Sequence, residues 1–132
     1  MTDRNIYICS FYRSDNFCPL DTFLDYFADC MTSLDNEKVI WIGDINVNQN
    51  SIRSQQYRDI NVAMRSFGLI QTVQDTTRVA YLGNKRTEST IDVVITNCYS
   101  NITKCKVLKD RIGDHNAVKC TFDFHVKKAD RF

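Results

Sequence analysis

Glutamate is scarce in this chain. Glu37 and Glu88 are the only two among 132 residues, although Asp and Glu together number 16. Any chemistry that needs a carboxylate therefore falls almost entirely to aspartate. Proline occurs once and glycine four times, and there is no internal repeat, low-complexity tract or inter-domain linker. The six cysteines (Cys9, Cys18, Cys30, Cys98, Cys105, Cys120) contain no C-x-x-C pair, which argues against a zinc site and a redox dithiol. No apolar run approaches the roughly 20 residues of a membrane span. The first apolar run, Ile6–Tyr12, is too short for a secretory leader. These absences predict an intracellular protein of nucleus or cytoplasm, not secreted, with reduced and mostly buried thiols. In that setting the sequon Asn101-Ile102-Thr103 carries no meaning. A net charge of +1 leaves no global attraction to nucleic acid or membrane, so contact with a polyanion requires local basic residues. Arg53, Arg58, Arg65, Lys85 and Arg86 are the candidates.

What is present is enough for one domain with one core: 132 residues, 43% of them hydrophobic. Ile6–Tyr12 reads as a strand. Leu20, Phe23, Leu24, Phe27, Met31 and Leu34 fall at helical spacing. Val39–Ile42 is a continuous apolar strand, the pattern of one covered on both faces. Ser54 is placed to cap a second helix carrying Tyr57, Ile60, Met64 and Phe67, and Gly68 to end it. Leu69–Val73 reads as a short strand. Arg78–Leu82 and Thr90–Thr96 read as strands flanking a turn at Gly83–Arg86, followed by strands at Lys104–Leu108 and Val118–Val126. The order is mixed, which predicts an α+β layered domain over residues 1–126 with a frayed tail at 127–132.

Three short acidic motifs stand at or within the apolar runs. In Gly43-Asp44-Ile45-Asn46 the two polar side chains are two residues apart, so extended backbone aims both to one side. Asp44 suits activating water or binding a metal, and Asn46 suits holding a phosphate oxygen; a plain strand-end turn uses the same residues. Asp92 interrupts the apolar run Ile91–Ile95. Burial there demands a partner, for which an oriented histidine is the candidate; the other reading is the exposed face of an edge strand. Ser89 suits either a phosphate contact or a turn cap. In Gly113-Asp114-His115 a hard carboxylate adjoins a group that titrates near neutrality. His115 reads equally well as a loop histidine without a role, and His125 as structural.

Together the motifs resemble the endonuclease/exonuclease/phosphatase superfamily, and within it the apurinic-type endonuclease domain of non-LTR (LINE-like) retrotransposons. That family carries Y-R-P-P, G-D-F-N, S-x-I-D and S-D-H in this order. The counterparts are Tyr12-Arg13-Ser14-Asp15, Gly43–Asn46, Ser89–Asp92 and Gly113–His115, with Phe67–Gln71 and Thr76-Thr77-Arg78 fitting the text between. The resemblance implies a partial layered β-sandwich flanked by helices, of the exonuclease III and DNase I type, with its amino-terminal half missing. It implies a Mg²⁺- or Mn²⁺-dependent DNA endonuclease in which Tyr12 contacts the phosphate and Asp44 positions water. Asn46 would hold the phosphate, Asp92 would orient His115, and His115 would act on the phosphate or leaving group. Asp114 would bind metal, and Thr77 and Ser89 would touch the substrate.

The departures from the pattern matter as much. The family's metal-binding Glu and first catalytic Asn have no counterpart. Both prolines of Y-R-P-P are replaced, by Ser14 and Asp15, and the serine of S-D-H is Gly113. The resulting expectation is an endonuclease that is truncated and impaired, with weak metal binding. The competing one is a non-catalytic remnant, retained for nucleic-acid binding or interaction. Uncovered sheet edges would favour self-association in either case.

Overall fold

The computed structural model describes residues 5–35 and 37–125. Among these residues eight strands form two sheets, accompanied by two α-helices: β1 (Ile6–Tyr12), α1 (Leu20–Ser33), β2 (Lys38–Asp44), α2 (Gln55–Ser66), β3 (Ile70–Gln71), β4 (Arg78–Leu82), β5 (Lys85–Ser89), β6 (Asp92–Thr96), β7 (Ile102–Ile112) and β8 (His115–Phe122). The first sheet has the order β1-β2-β6-β3, with β1 and β2 parallel and the remaining pairs antiparallel. The second has the order β5-β4-β8-β7 and is antiparallel throughout.

The period-2 alternation of β2 assigns its two faces. Val39 and Trp41 are buried with Phe27 and Met31 of α1 and Ile60 and Met64 of α2. Trp41 is the hub of this helix-side core: its ring lies 4.9 Å from that of Phe27, and its indole N–H donates to Met31 Sδ at 3.2 Å. Ile40, on the other face, packs with Val94 and Val73 against Val107, Val118 and Phe122 of the second sheet. The cover on this side is incomplete, since Ile42 is 44% and Ile8 70% exposed. Coverage on both faces therefore holds for Val39–Trp41 and fails at Ile42, where the second sheet does not reach.

Both helices follow from their sequence signals. The Ser54 side chain accepts from the Tyr57 N–H, satisfying one orphan donor of α2. Gly68, at φ +68°, turns the chain out. Gly43 is required by close packing of the strands. It needs no unusual φ; it sits opposite Phe11 in the β1–β2 register, and a Cβ there would lie 2.0 Å from the Phe11 carbonyl oxygen.

Several sequence expectations change. The partner of Arg78–Leu82 is Lys85–Ser89, with only Gly83-Asn84 as the turn between them. Thr90 and Ile91 then cross between sheets, and Asp92–Thr96 pairs with β2 and β3 inside the first sheet. β6 is flanked by β2 along its length and by β3 only at Ile95 and Thr96; Asp92, at its start, pairs with Asp44 on one side and gives its N–H to the Thr77 hydroxyl. Leu69–Val73 shortens to two paired residues, and His115 opens β8 instead of lying in a loop. The thiols are free, but only Cys98 is fully buried and Cys30 is exposed. Val126 and the tail 127–132 lie outside the described residues.

One buried charge joins β1 to the end of β2. Arg13 is 2% exposed. Its Nε donates to Ile45 O at 2.7 Å, Nη1 to Cys18 O at 2.8 Å, and Nη2 to Asn46 O at 3.3 Å and to the Asp15 carboxylate. In return, Asn46 Nδ2 donates to Arg13 O at 2.7 Å. Replacing Arg13 with Met should leave three carbonyls without their donor and destabilise the fold by about 3 kcal/mol. Urea unfolding measures this as a lower midpoint with unchanged slope; a midpoint equal to wild type would refute the clamp.

Candidate active site

Strand alternation carries Asp44 to the same face as Ile40 and Ile42, and the β2–β6 register ends with Asp44 opposite Asp92. Two carboxylates thus stand side by side where the sheets open. The turn Gly113-Asp114, with Gly113 at φ +67°, then delivers His115 as the first residue of β8. A bridge from Arg78 holds His115 in the second sheet. His115 Nδ1 lies 2.8 Å from Asp92 Oδ2, while Nε2 is 4.0 Å from Asp44 Oδ2 and 3.7 Å from Asp114 Oδ1. An Nδ1 proton donated to Asp92 fixes the ring and leaves Nε2 as the atom open to a proton or a reacting group.

The backbone beneath these side chains is tied down. The Asn46 N–H donates to Asp44 Oδ1 at 2.8 Å. Asn46 sits in the left-handed region, φ 53°, a conformation Asn tolerates better than most residues. Its side-chain amide is already engaged with Arg13. Thr77 is fully buried, and its Oγ1 accepts from the N–H groups of Ile91 and Asp92 at 3.0 and 3.1 Å. The expectation that Thr77 touches substrate is corrected accordingly: its hydroxyl has no path to solvent and instead holds the backbone of Asp92. Asn48 Oδ1 accepts from the Thr90 N–H and Asn50 Nδ2 donates to Thr90 Oγ1, lacing the loop after Asn46 to the segment before Asp92.

Burial raises the Asp44 carboxyl above the ordinary aspartate range, and neighbouring Asp92 adds to the rise; the Asn46 N–H, His115 and Arg78 oppose it. Asp114 goes the other way, lowered chiefly by its hydrogen bond from Arg78 Nε at 2.8 Å. Ligand atoms of Asp44, Asp92 and His115 all lie within 4.8 Å of one another. Two hard carboxylates facing one space suit a divalent cation. Asp114, the metal ligand expected from sequence, is outside that group of three and has one oxygen on Arg78.

The remaining expected site residues lie close by. Tyr12 ends β1 directly opposite Asp44 and is 70% exposed. Ser89 ends β5 beside Arg78, half-buried, and its hydroxyl has no hydrogen bond among the described residues. Glu88 pairs with Arg86 on the β4–β5 hairpin, and Glu37 lines a hollow with Lys38 and Asn97. Neither glutamate joins the site. Two residues escaped the sequence reading, Arg13 and Arg78. Both stood inside motifs already singled out, but only the fold shows one to be buried and the other to face Asp114.

Two stacked sheets, helices backing one of them, and a carboxylate–imidazole group where the strands end define an α+β fold of the endonuclease/DNase I type. Residues 6–119 match the family described as endonuclease-reverse transcriptase, and the chain belongs to that family. Among solved structures it is similar to the endonuclease domain of TRAS1, a telomere-specific non-LTR retrotransposon, with a TM-score of 0.82 and 18% identity over 96% of this chain and 61% of that one. It is also similar to an endonuclease/exonuclease/phosphatase family protein from Leptotrichia buccalis C-1013-b, with a TM-score of 0.62 and 14% identity over 94% of this chain and 51% of that one. The chain thus spans less than two thirds of either, and at these identities the likeness is one of fold. No curated protein matches the sequence.

The raised Asp44 carboxyl carries a stability consequence. A folded-state pKa above the unfolded value favours folding at low pH, and this contribution is lost as pH rises through the folded pKa. At neutral pH the ionised Asp44 therefore weakens the fold. Asp44→Asn should raise Tm at pH 7 and give a smaller gain near pH 4. A gain that does not shrink on acidification would contradict this origin.

Proposed function

We propose that this chain is a retrotransposon-type DNA endonuclease domain that hydrolyses phosphodiesters at the Asp44–Asp92–His115 group. The observation that carries the reading is the 2.8 Å Asp92–His115 contact, with Nε2 turned toward Asp44. Asp44, made more basic by burial, accepts a proton from the attacking water and orients it. His115 Nε2 handles the proton at the phosphate or leaving oxygen, and Asp92 keeps the ring aimed. Asn46 serves mainly to set Asp44 through its backbone N–H, since its amide is engaged with Arg13. Tyr12 and Ser89, exposed and half-buried beside the pair, are the phosphate contacts. A divalent cation, Mg²⁺ or Mn²⁺, would be held by Asp44 and Asp92 with His115 adjacent, and would neutralise charge on the phosphate when bound.

A second reading has its own observation. Both glutamates lie outside the site, so the family's metal-binding Glu has no substitute here, and the chain would be an impaired enzyme or a nucleic-acid-binding remnant. Nicking of supercoiled plasmid separates the two. The endonuclease reading expects nicking with Mg²⁺, none with EDTA, and a loss of at least about a hundredfold in Asp44→Ala and His115→Ala. Folded, soluble protein that leaves the plasmid intact is the result that favours the remnant.

Self-association belongs to the same proposal. β1 is an edge strand, with Ile6 and Ile8 40% and 70% exposed. It borders an apolar cleft of about 620 Å³ lined by Ile8, Ile40, Ile42, Leu108, Val118 and Phe122. Sedimentation velocity should show a concentration-dependent dimer that Ile8→Lys converts to monomer; a wild-type monomer at all concentrations would rule it out.

A further inference from the structure

The site as described has an electrostatic problem. Asp44, Asp92 and Asp114 surround one imidazole, all within 4.0 Å of a His115 ring nitrogen. A phosphodiester is an anion, and three carboxylates in a partly desolvated pocket repel it. A divalent cation between Asp44 and Asp92 would answer one side of the pocket and leave no charge at the mouth, beside Asp114, to meet the phosphate itself. A fixed cation is needed there.

The candidates reduce quickly. Arg13 is beside Asp44 in the chain fold but buried, with its donors spent on Ile45, Cys18, Asn46 and Asp15. Arg86 is paired with Glu88 further along the hairpin. Arg78 remains. It opens β4 directly opposite His115 on one side and Ser89 on the other. It follows Thr77, whose hydroxyl holds the Asp92 backbone. Its placement is therefore fixed by the same hydrogen bonds that fix the catalytic pair. Its side chain is 41% exposed, and only Nε is engaged, on Asp114 Oδ2 at 2.8 Å. Among the described residues Nη1 and Nη2 carry no hydrogen bond, so the part of the guanidinium fork that matches two phosphate oxygens is open. Asp114 is itself 47% exposed. An ion pair this open to solvent is weak, and the guanidinium can turn from it to a phosphate at little cost.

We propose that Arg78 is the residue that receives the substrate phosphate, and that Asp114 is its holder: the Arg78–Asp114 pair keeps the fork at the mouth of the site, opposite His115, until a DNA phosphodiester takes it over. This rests on the endonuclease reading for its substrate class. It reassigns Asp114 from metal binding to positioning.

The test is equilibrium binding, without turnover, of a short phosphorothioate-linked DNA duplex in EDTA over a range of salt, with circular dichroism confirming the fold of each variant. Arg78→Ala should weaken binding about tenfold or more and lower the slope of log affinity against log salt by about one. Arg78→Lys, which keeps the charge and loses the fork, should fall between. Asp114→Asn should tighten binding, because it frees the guanidinium; a merely structural ion pair would make it weaken binding alongside Arg78→Ala. Arg86→Ala should change binding less than Arg78→Ala. Wild-type binding that Arg78→Ala leaves unchanged, or Asp114→Asn weakening to match Arg78→Ala, overturns the assignment while the endonuclease reading stands. Wild-type protein that does not bind DNA overturns the assignment, while the endonuclease reading is decided separately by the Mg²⁺ nicking assay.

Discussion

The antiparallel pairing of β2 with β6 is the contact on which the site depends. Its register ends with one aspartate opposite another, Asp44 against Asp92. Like charges directly opposite in a sheet are unfavourable, and here both are partly buried. The surrounding structure exists in large part to make that juxtaposition tolerable. His115 sits on Asp92, the Asn46 N–H on Asp44, and the Thr77 hydroxyl on the backbone of Asp92. Each partner comes from a different stretch of chain, so the pair of carboxylates acts as the point where β1, β2, β6, β4 and β8 are brought into one geometry. Burial, with a smaller push from Asp92, still leaves the Asp44 carboxyl raised after these compensations.

Two arginines divide the remaining electrostatic work by depth. Arg13 is inside and spends its donors on backbone carbonyls, holding Asn46 in a left-handed conformation that its side chain alone would not secure. Its role is architectural, because no solvent-borne ligand can reach it. Arg78 is outside and touches one carboxylate with one nitrogen. The same side chain type thus serves rigidity at one place and exchangeable binding at another, and burial decides which. The apolar opening between the sheets, from Ile8 and Ile42 to Phe122, has the opposite character. Its lining is mainly apolar, with Asn116, Lys119 and the two carboxylates beside it.

Much of this protein could be read from its residues alone. The strand at Ile6–Tyr12, both helices with the Ser54 cap and the Gly68 exit, and the placement of Asp44 at a strand end follow from periodicity and local chemistry, which act within a few residues. The four ordered motifs carried the family, and three of them supplied Asp44, Asp92 and His115. Local signals failed where pairing is long-range. Thr90–Thr96 looks like the return strand of a hairpin because its composition suits a strand, yet composition does not name the partner; that choice fell to β5 for one sheet and β2 for the other. Thr77 looked like a phosphate contact because a hydroxyl beside an active-site motif is ambiguous. Its burial and its two N–H donors are properties of the packed chain. What the sequence determined by itself was which side chains are available and, within helices and strands, on which face each stands, since those periods are local; Asn46, left-handed just past β2 and tied to Arg13, escaped that rule. The motifs already implied that Asp92 orients His115 and that no glutamate joins the site; only the tertiary structure set the 2.8 Å between Asp92 and His115 and decided that Asp114 faces Arg78, because those distances come from strand register and sheet stacking between residues tens of positions apart.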